Sequence, residues 1–135
     1  MQAETLRTVL ASGPGQYVEF MPEPAASKLA ETLAAMANAD GGTVLVGLHA
    51  DGRVNDSPVE DVEALLARAQ ALCRPPVFTT LSSVSLPGGE VIAITVSRGG
   101  QPHRLSDGRL VVRSGSHNRS LSASEAAQLE SARGG

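Results

Sequence analysis

Residues Ala37 to Gly52, ANADGGTVLVGLHADG, place a helix end, a glycine pair, an apolar strand and a tight turn one after another with no residue to spare. Upstream, Leu29, Leu33, Met36 and Ala37 recur at helical spacing within an alanine-rich run from Pro24 to Ala39, so they give one apolar helix face. Gly41 or Gly42 can adopt the left-handed conformation that closes such a helix, with Asn38 and Asp40 available to hydrogen-bond its last turn. Thr43 to Leu48 is then too short for a helix and apolar on both faces, which predicts a central strand. Gly47 inside it suggests a close backbone approach, and Asp51-Gly52 a turn.

With 135 residues, 41% of them hydrophobic, the chain is long enough for one domain and too short for two ordinary ones. No apolar run approaches the roughly 20 residues that span a bilayer, and MQAETLRTVL lacks the cationic start of a signal peptide. The expectation is a cytoplasmic protein with no membrane partner. Cys73, the single cysteine, excludes an internal disulfide and a cysteine metal cluster, leaving packing as its role. The net charge of −3 hides an asymmetry. Residues 1–70 hold Arg7, Lys28, Arg53 and Arg68 against ten acids, whereas residues 71–135 hold seven arginines against four acids. Tyr17, Phe20 and Phe78 are the only aromatics, too few for a sequence-reading single-strand RNA module.

In chain order, Glu4 to Ala11 reads as a short amphipathic lid helix, and Gln16 to Phe20 as a strand with Tyr17 and Glu19 on one face and Val18 and Phe20 on the other. Ser57, Pro58 and Glu60 resemble a helix start, followed by the apolar stripe Val62, Leu65, Leu66, Ala69 and Leu72 and stopped by Pro75-Pro76. Val77 to Leu86 and Glu90 to Ser97 form a hairpin about Pro87-Gly88-Gly89, and Arg109 to Arg113 is a further strand of an antiparallel meander. Ser114 and Ser116 flank a turn at Gly115. Ser122, with Glu125 three residues on, starts the last helix as a capping box, and Ser131 to Gly135 reads as a disordered tail. The sum is α+β: a single mixed, mostly antiparallel sheet with helices packed on one side.

Several chemistries lack their residues. No G-x-x-x-x-G-K-[ST] or G-x-S-x-G is present, Gly41-Gly42 precede a strand instead of opening a helix, and His49, His103 and His117 show no paired ligand spacing. The strongest polar grouping runs from Arg98 to Arg119, with Arg104, Arg109 and Arg113 between, plus His103 and His117 against the single acid Asp107. Strand alternation would place Arg109 and Arg113 on one cationic face. The alternatives are solvated arginines that protect an edge strand, or an Arg113 consumed by an internal ion pair with Glu19.

VEFM at Val18–Met21, AAMANADGG at Ala34–Gly42, TVLVGLHADG at Thr43–Gly52, QPH at Gln101–His103 and LVVRSGSHNRSLSASE at Leu110–Glu125 together resemble the Schlafen AlbA_2 domain family, labelled DNA-binding and formerly regarded as a divergent ATPase. The resemblance spans Gln16 to Leu129 and implies one AlbA_2-like domain with a core of about residues 14–130. Nuclease members are similar to one another in three acids. Here Pro14 stands at the first position, Glu19 at the second and Ala50 at the third, with Asp51 beside it, and the lysine of E-F-K is Met21.

The resemblance and the basic C-terminal half predict a non-catalytic nucleic-acid-binding or regulatory domain, with homodimerisation as a further expectation. Arg104, Arg109, Arg113 and Arg119, with His103, are the expected nucleic-acid contacts, and no cofactor is expected. Two alternatives stay open. One is a magnesium-dependent endonuclease using Glu19 and Asp51, and the other a protein–protein adaptor that binds a partner through a sheet edge.

Overall fold

In the computed structural model, which describes residues 3–56, 59 and 61–133, the glycine pair divides its work between its two members. Helix α2 (Ala26–Asn38) ends at Ala39, and Gly41 takes the left-handed conformation with φ +84° while its amide donates to Met36 O at 2.8 Å. Gly42 instead opens β2 (Gly42–Val46) with ordinary backbone, and a Cβ there would lie 2.7 Å from Met36 Sδ and 2.9 Å from Tyr17 O. The second glycine therefore answers to crowding, and only the first to backbone conformation. Gly47 corrects its expectation in the opposite sense. Its φ is +99° and a Cβ there would find its nearest atom 3.7 Å away, so it serves the turn after β2 and not a close approach.

The main sheet has the order β1-β2-β5-β4, with β1 (Val18–Met21) parallel to β2 and β4 (Thr79–Leu86) and β5 (Gly89–Val96) antiparallel. The sheet is mixed and mostly antiparallel, as its sequence implied. It carries apolar residues on both faces. One face packs Met21, Val44, Val46, Ile94 and Val96 against Leu29, Leu33 and Met36 of α2 and Val62, Leu65 and Ala69 of α3 (Val62–Gln70). The other gathers Phe20, Leu45, Leu48, Val84, Val91 and Ala93, with Val9 and Leu10 of α1 (Ala3–Ser12) against them. Helices thus lie on both sides, because β2 and β5 are apolar at successive positions and each face needs a cover.

The expected meander is replaced by two short ribbons. β3 (Cys73–Arg74) pairs with β6 (Arg104–Leu105), and β7 (Val111–Ser114) with β8 (His117–Ser120), a strand that no sequence signal marks. Gly115, at φ +59°, makes the turn between β7 and β8. Arg109 falls outside β7, so it does not share a strand face with Arg113. Ser57, Pro58 and Glu60 lie outside the described residues; α3 starts at Val62, and Asp61, itself left-handed at φ 47°, caps it by accepting from the Ala64 amide at 3.0 Å. Cys73 is buried, with its thiol 3.6 Å from both Ala30 O and Ala69 O, and burial pushes its pKa up to about 11.

The last helix, α4 (Ala123–Ala132), has the expected capping box at Ser122 and Glu125. It takes in Ser131 and Ala132 of the segment expected to be disordered, and Arg133 after it is buried, while Gly134 and Gly135 lie outside the described residues. No helix among the described residues is long and apolar enough to cross a membrane.

Candidate nucleic-acid interface

The residues expected to contact nucleic acid separate into two groups. Arg113 has a fully buried side chain whose Nη1 lies 3.0 Å from Glu19 Oε2. Its Nε and Nη2 donate to Gly15 O at 3.1 and 2.9 Å, and Nη1 also donates to Asn118 Oδ1. Asn118 passes the connection to α2 by donating to Thr32 Oγ1 at 2.9 Å and Glu31 Oε1 at 3.3 Å. Gln16 closes the network by donating to Arg113 O and accepting from the Gly115 amide. Arg113 therefore fastens the β7–β8 ribbon to β1, and the internal pair with Glu19 is the alternative that the structure bears out.

His103 is likewise interior, 5% exposed. Its amide donates to Asn38 Oδ1 at 2.8 Å, Asn38 Nδ2 donates to its carbonyl at 2.9 Å and to Val111 O at 2.8 Å, and its ring Nδ1 stands 2.7 Å from Pro75 O. The asparagine of AMANADGG thus holds the histidine of QPH and the strand of LVVRSGS, so three of the separated motifs meet at one amide side chain. Arg133 completes this junction. Its guanidinium donates to the carbonyls of Ala37, Asn38, Ala39 and Gly99 at 2.8–3.0 Å, satisfying the open end of α2, and burial, then the like charge of Arg98, lowers its pKa. Nothing in the sequence marks it, beyond an arginine closing a helix-forming run.

The second group is exposed. Arg104 donates from Nη1 to Gly108 O at 2.9 Å and pairs through Nη2 with Glu130. Arg109 lies 2.8 Å from Asp107 Oδ2 and 3.5 Å from Glu31 Oε2; its hydrogen bond to Asp107 raises its pKa, and hydrogen bonds from its backbone and then its side chain lower that of Asp107. Arg119 lies 2.9 Å from Glu125, whose pKa is lowered by the Ser122 backbone amide first and Arg119 second. Arg104 and Arg109 share a cleft of about 360 Å³ with Ser122 and Glu130. Directly opposite Arg104 across the β3–β6 ribbon stands Arg74, exposed and without an ion pair to any described residue. Sequence reasoning misses Arg74 because the two-residue strand that aligns it is too short to be legible.

The residues of the endonuclease alternative are apart. Glu19 faces Arg113 on the α2 side, whereas Asp51 accepts from the Arg53 amide in the Leu48–Val54 turn, where Gly52 approaches Leu10 of α1. No three of His, Cys, Asp and Glu gather as a metal site among the described residues.

The model of the family described as Schlafen, AlbA_2 matches residues 15–122, most of the chain. The chain belongs to the Schlafen AlbA_2 family. Its fold is similar to the crystal structure of the DIP2311 protein from Corynebacterium diphtheriae, with a TM-score of 0.72 and 25% sequence identity over 98% of this chain. It spans 32% of that protein's chain. No curated protein matches. The family match ends at Ser122, so α4 and Arg133 lie beyond the matched segment.

Proposed function

We propose that this AlbA_2 domain binds nucleic acid through phosphates, without cleaving it, using Arg104, Arg109 and Arg119 together with Arg74. The observation that carries the reading is the alignment of Arg74 with Arg104 across the β3–β6 ribbon, beside the cleft that Arg104 shares with Arg109. Like charges placed directly opposite on a ribbon repel each other, and a phosphate between them relieves the cost. The carboxylates now paired with these arginines are weak competitors. Exposed ion pairs contribute about 0–1 kcal/mol, so exchange for a phosphate is cheap. Two of them, Glu125 and Glu130, come from α4, which buries none of its residues. That helix acts as an acidic cover over the arginines, which fits a regulatory role. Arg113 and His103 support this surface from within and take no part in its phosphate contacts.

The test is binding to duplex DNA over a range of salt. Each of Arg104→Ala, Arg109→Ala and Arg119→Ala should lower the magnitude of the log K versus log salt slope by about 0.9. Glu130→Gln should tighten binding. Unaltered slopes in all three arginine variants, with the fold intact, would overturn the reading. One observation favours a second reading, a protein adaptor. β4 is an eight-residue edge strand, TTLSSVSL, without charge or proline, and Leu81 on it is exposed. Edges of this kind accept a further strand, from a partner or a second copy.

A further inference from the structure

A second cleft, of about 490 Å³ and sharing no lining residue with the first, lies between Pro75-Pro76, Phe78 and the loop from Arg98 to Gln101, with His103 and Arg133 also in its wall. His103 is its least expected feature. Pro75 O can only accept, so the ring nitrogen 2.7 Å from it, Nδ1, carries the proton, and in the neutral ring Nε2 presents a lone pair. Nε2 has no hydrogen-bond partner, yet no fully buried polar side-chain atom among the described residues lacks one, so Nε2 opens to the cleft. The backbone contacts of His103 with Asn38 explain why the residue is here; they leave the free nitrogen unexplained. Gly99 keeps the ring uncovered. A Cβ at Gly99 would fall within contact distance of Nε2 and 2.6 Å from Cδ2.

The rest of the wall complements this acceptor. Phe78 is 70% exposed and the Ser97 amide, 3.2 Å from its carbonyl, holds its backbone beside the end of β5. The guanidinium of Arg98 is 3.5 Å from Asp40 in a pair exposed on both sides, so it is free to exchange partners. The charged side chains that line the cleft are Arg98 and Arg133, with Asp40 paired to Arg98, a positive sum, and Arg133 is already spent on four carbonyls.

We infer that this cleft takes one unpaired nucleotide, its base stacked on Phe78, its phosphate on Arg98, and a sugar hydroxyl or base N–H donated to His103 Nε2. A flat apolar face, an anion and a hydrogen-bond donor occur together in that ligand, and each matches one wall element. The site deepens the nucleic-acid reading above and rests on it where the nucleotide belongs to a strand; a free nucleotide offers the same chemistry.

The experiment compares a short single-stranded oligothymidylate, AMP and a blunt DNA duplex on the wild-type domain and on Phe78→Ala and Arg98→Ala, both exposed positions whose loss leaves the core intact. Phe78→Ala should weaken the oligonucleotide by roughly 5- to 150-fold and leave duplex binding and its salt slope unchanged. The His103 Cε1–H NMR resonance should shift when either small ligand saturates the domain. Binding of AMP as tight as that of the oligonucleotide also supports the cleft and identifies a free nucleotide as its ligand. Duplex binding with an unchanged single-strand affinity in Phe78→Ala overturns the cleft and spares the arginine face. AMP binding lost in Phe78→Ala, with no duplex binding by the wild type, spares the cleft and overturns the face. A wild-type domain that binds none of the three overturns both.

Discussion

Arg113 and Arg109 stand four residues apart in the same basic segment, and the fold uses them in opposite ways. Arg113 is sealed between Glu19, Asn118 and the carbonyls of Gly15 and Val18, whereas Arg109 lies in the open between Asp107 and Glu31. Arg133 and Arg104 repeat the contrast, the first inside the end of α2 and the second on the surface with Glu130. Arg109 and Arg113 share one local sequence, so composition does not sort them. What separates them is the number of main-chain carbonyls in reach: Arg113 bonds two and Arg133 four, against one for Arg104, a geometry that a planar guanidinium with five donors satisfies and an exposed site does not need.

The sharpest way to break this comparison is to delete a buried member. Arg113→Ala leaves Glu19, whose side chain is 17% exposed, without its cation and strips Gly15 O of two donors. Removing one partner of a buried pair costs about 3–5 kcal/mol, so we expect a large fall in melting temperature. A double variant, Glu19→Leu with Arg113→Met, should recover much of that loss because neither charge is then stranded. An Arg113→Ala protein that melts with the wild type would place Arg113 with the exposed group.

Arg133→Ala is the next largest expected effect. It uncovers the last carbonyls of α2 and Gly99 O, and a buried acceptor left without a donor costs about 1–3 kcal/mol. Faster amide hydrogen exchange at the α2 end, concentrated at Gly41 and Gly99, would check it, since their amides bond Met36 O and Ala37 O. Unchanged exchange there would mean that α4 docks without its arginine.

The α2–β2 unit, the β4–β5 hairpin and the α4 cap are legible in the sequence because each is written in local signals: helical spacing, a Pro-Gly-Gly turn, a Ser with Glu three residues on. The family is legible too. The sorting of the arginines is not, because burial of Arg113 depends on Gly15 and Glu19, almost a hundred residues earlier. His103 reads as a surface contact for the same reason; only its meeting with Asn38, 65 positions away, takes it inside. The tail reads as disordered because Arg133 finds its partners on α2, far off in the chain, and the β3–β6 ribbon escapes notice because two-residue strands carry no periodicity.

Deleting an exposed member should cost little. Arg104→Ala, Arg109→Ala and Arg119→Ala each remove a surface pair whose contribution is about 0–1 kcal/mol, so each variant should unfold within that margin of the wild type in urea. A loss at Arg109 as large as that at Arg113 would erase the distinction, and would mean that Arg109, through Glu31 and Asn118, belongs to the buried network.

The smallest effect belongs to the charge of Glu125, and it carries a sign. The Ser122 amide and then Arg119 hold its folded pKa below the ordinary 4.5. A carboxylate so depressed contributes stability that is complete above the unfolded value and is lost as pH falls through the folded one. Melting of the wild type should therefore weaken on acidification below about 4.5, the ordinary value. Asp107 is depressed as well, so the readout is the difference between the wild type and Glu125→Gln. Glutamine at this position can still cap the Ser122 amide and cannot pair with Arg119, so it separates the hydrogen bond from the charge. At neutral pH the variant should be slightly less stable, and the gap should close as acid protonates Glu125 in the wild type. A gap that persists below the folded pKa would assign the contribution of Glu125 to the cap alone and leave Arg119 energetically free of it.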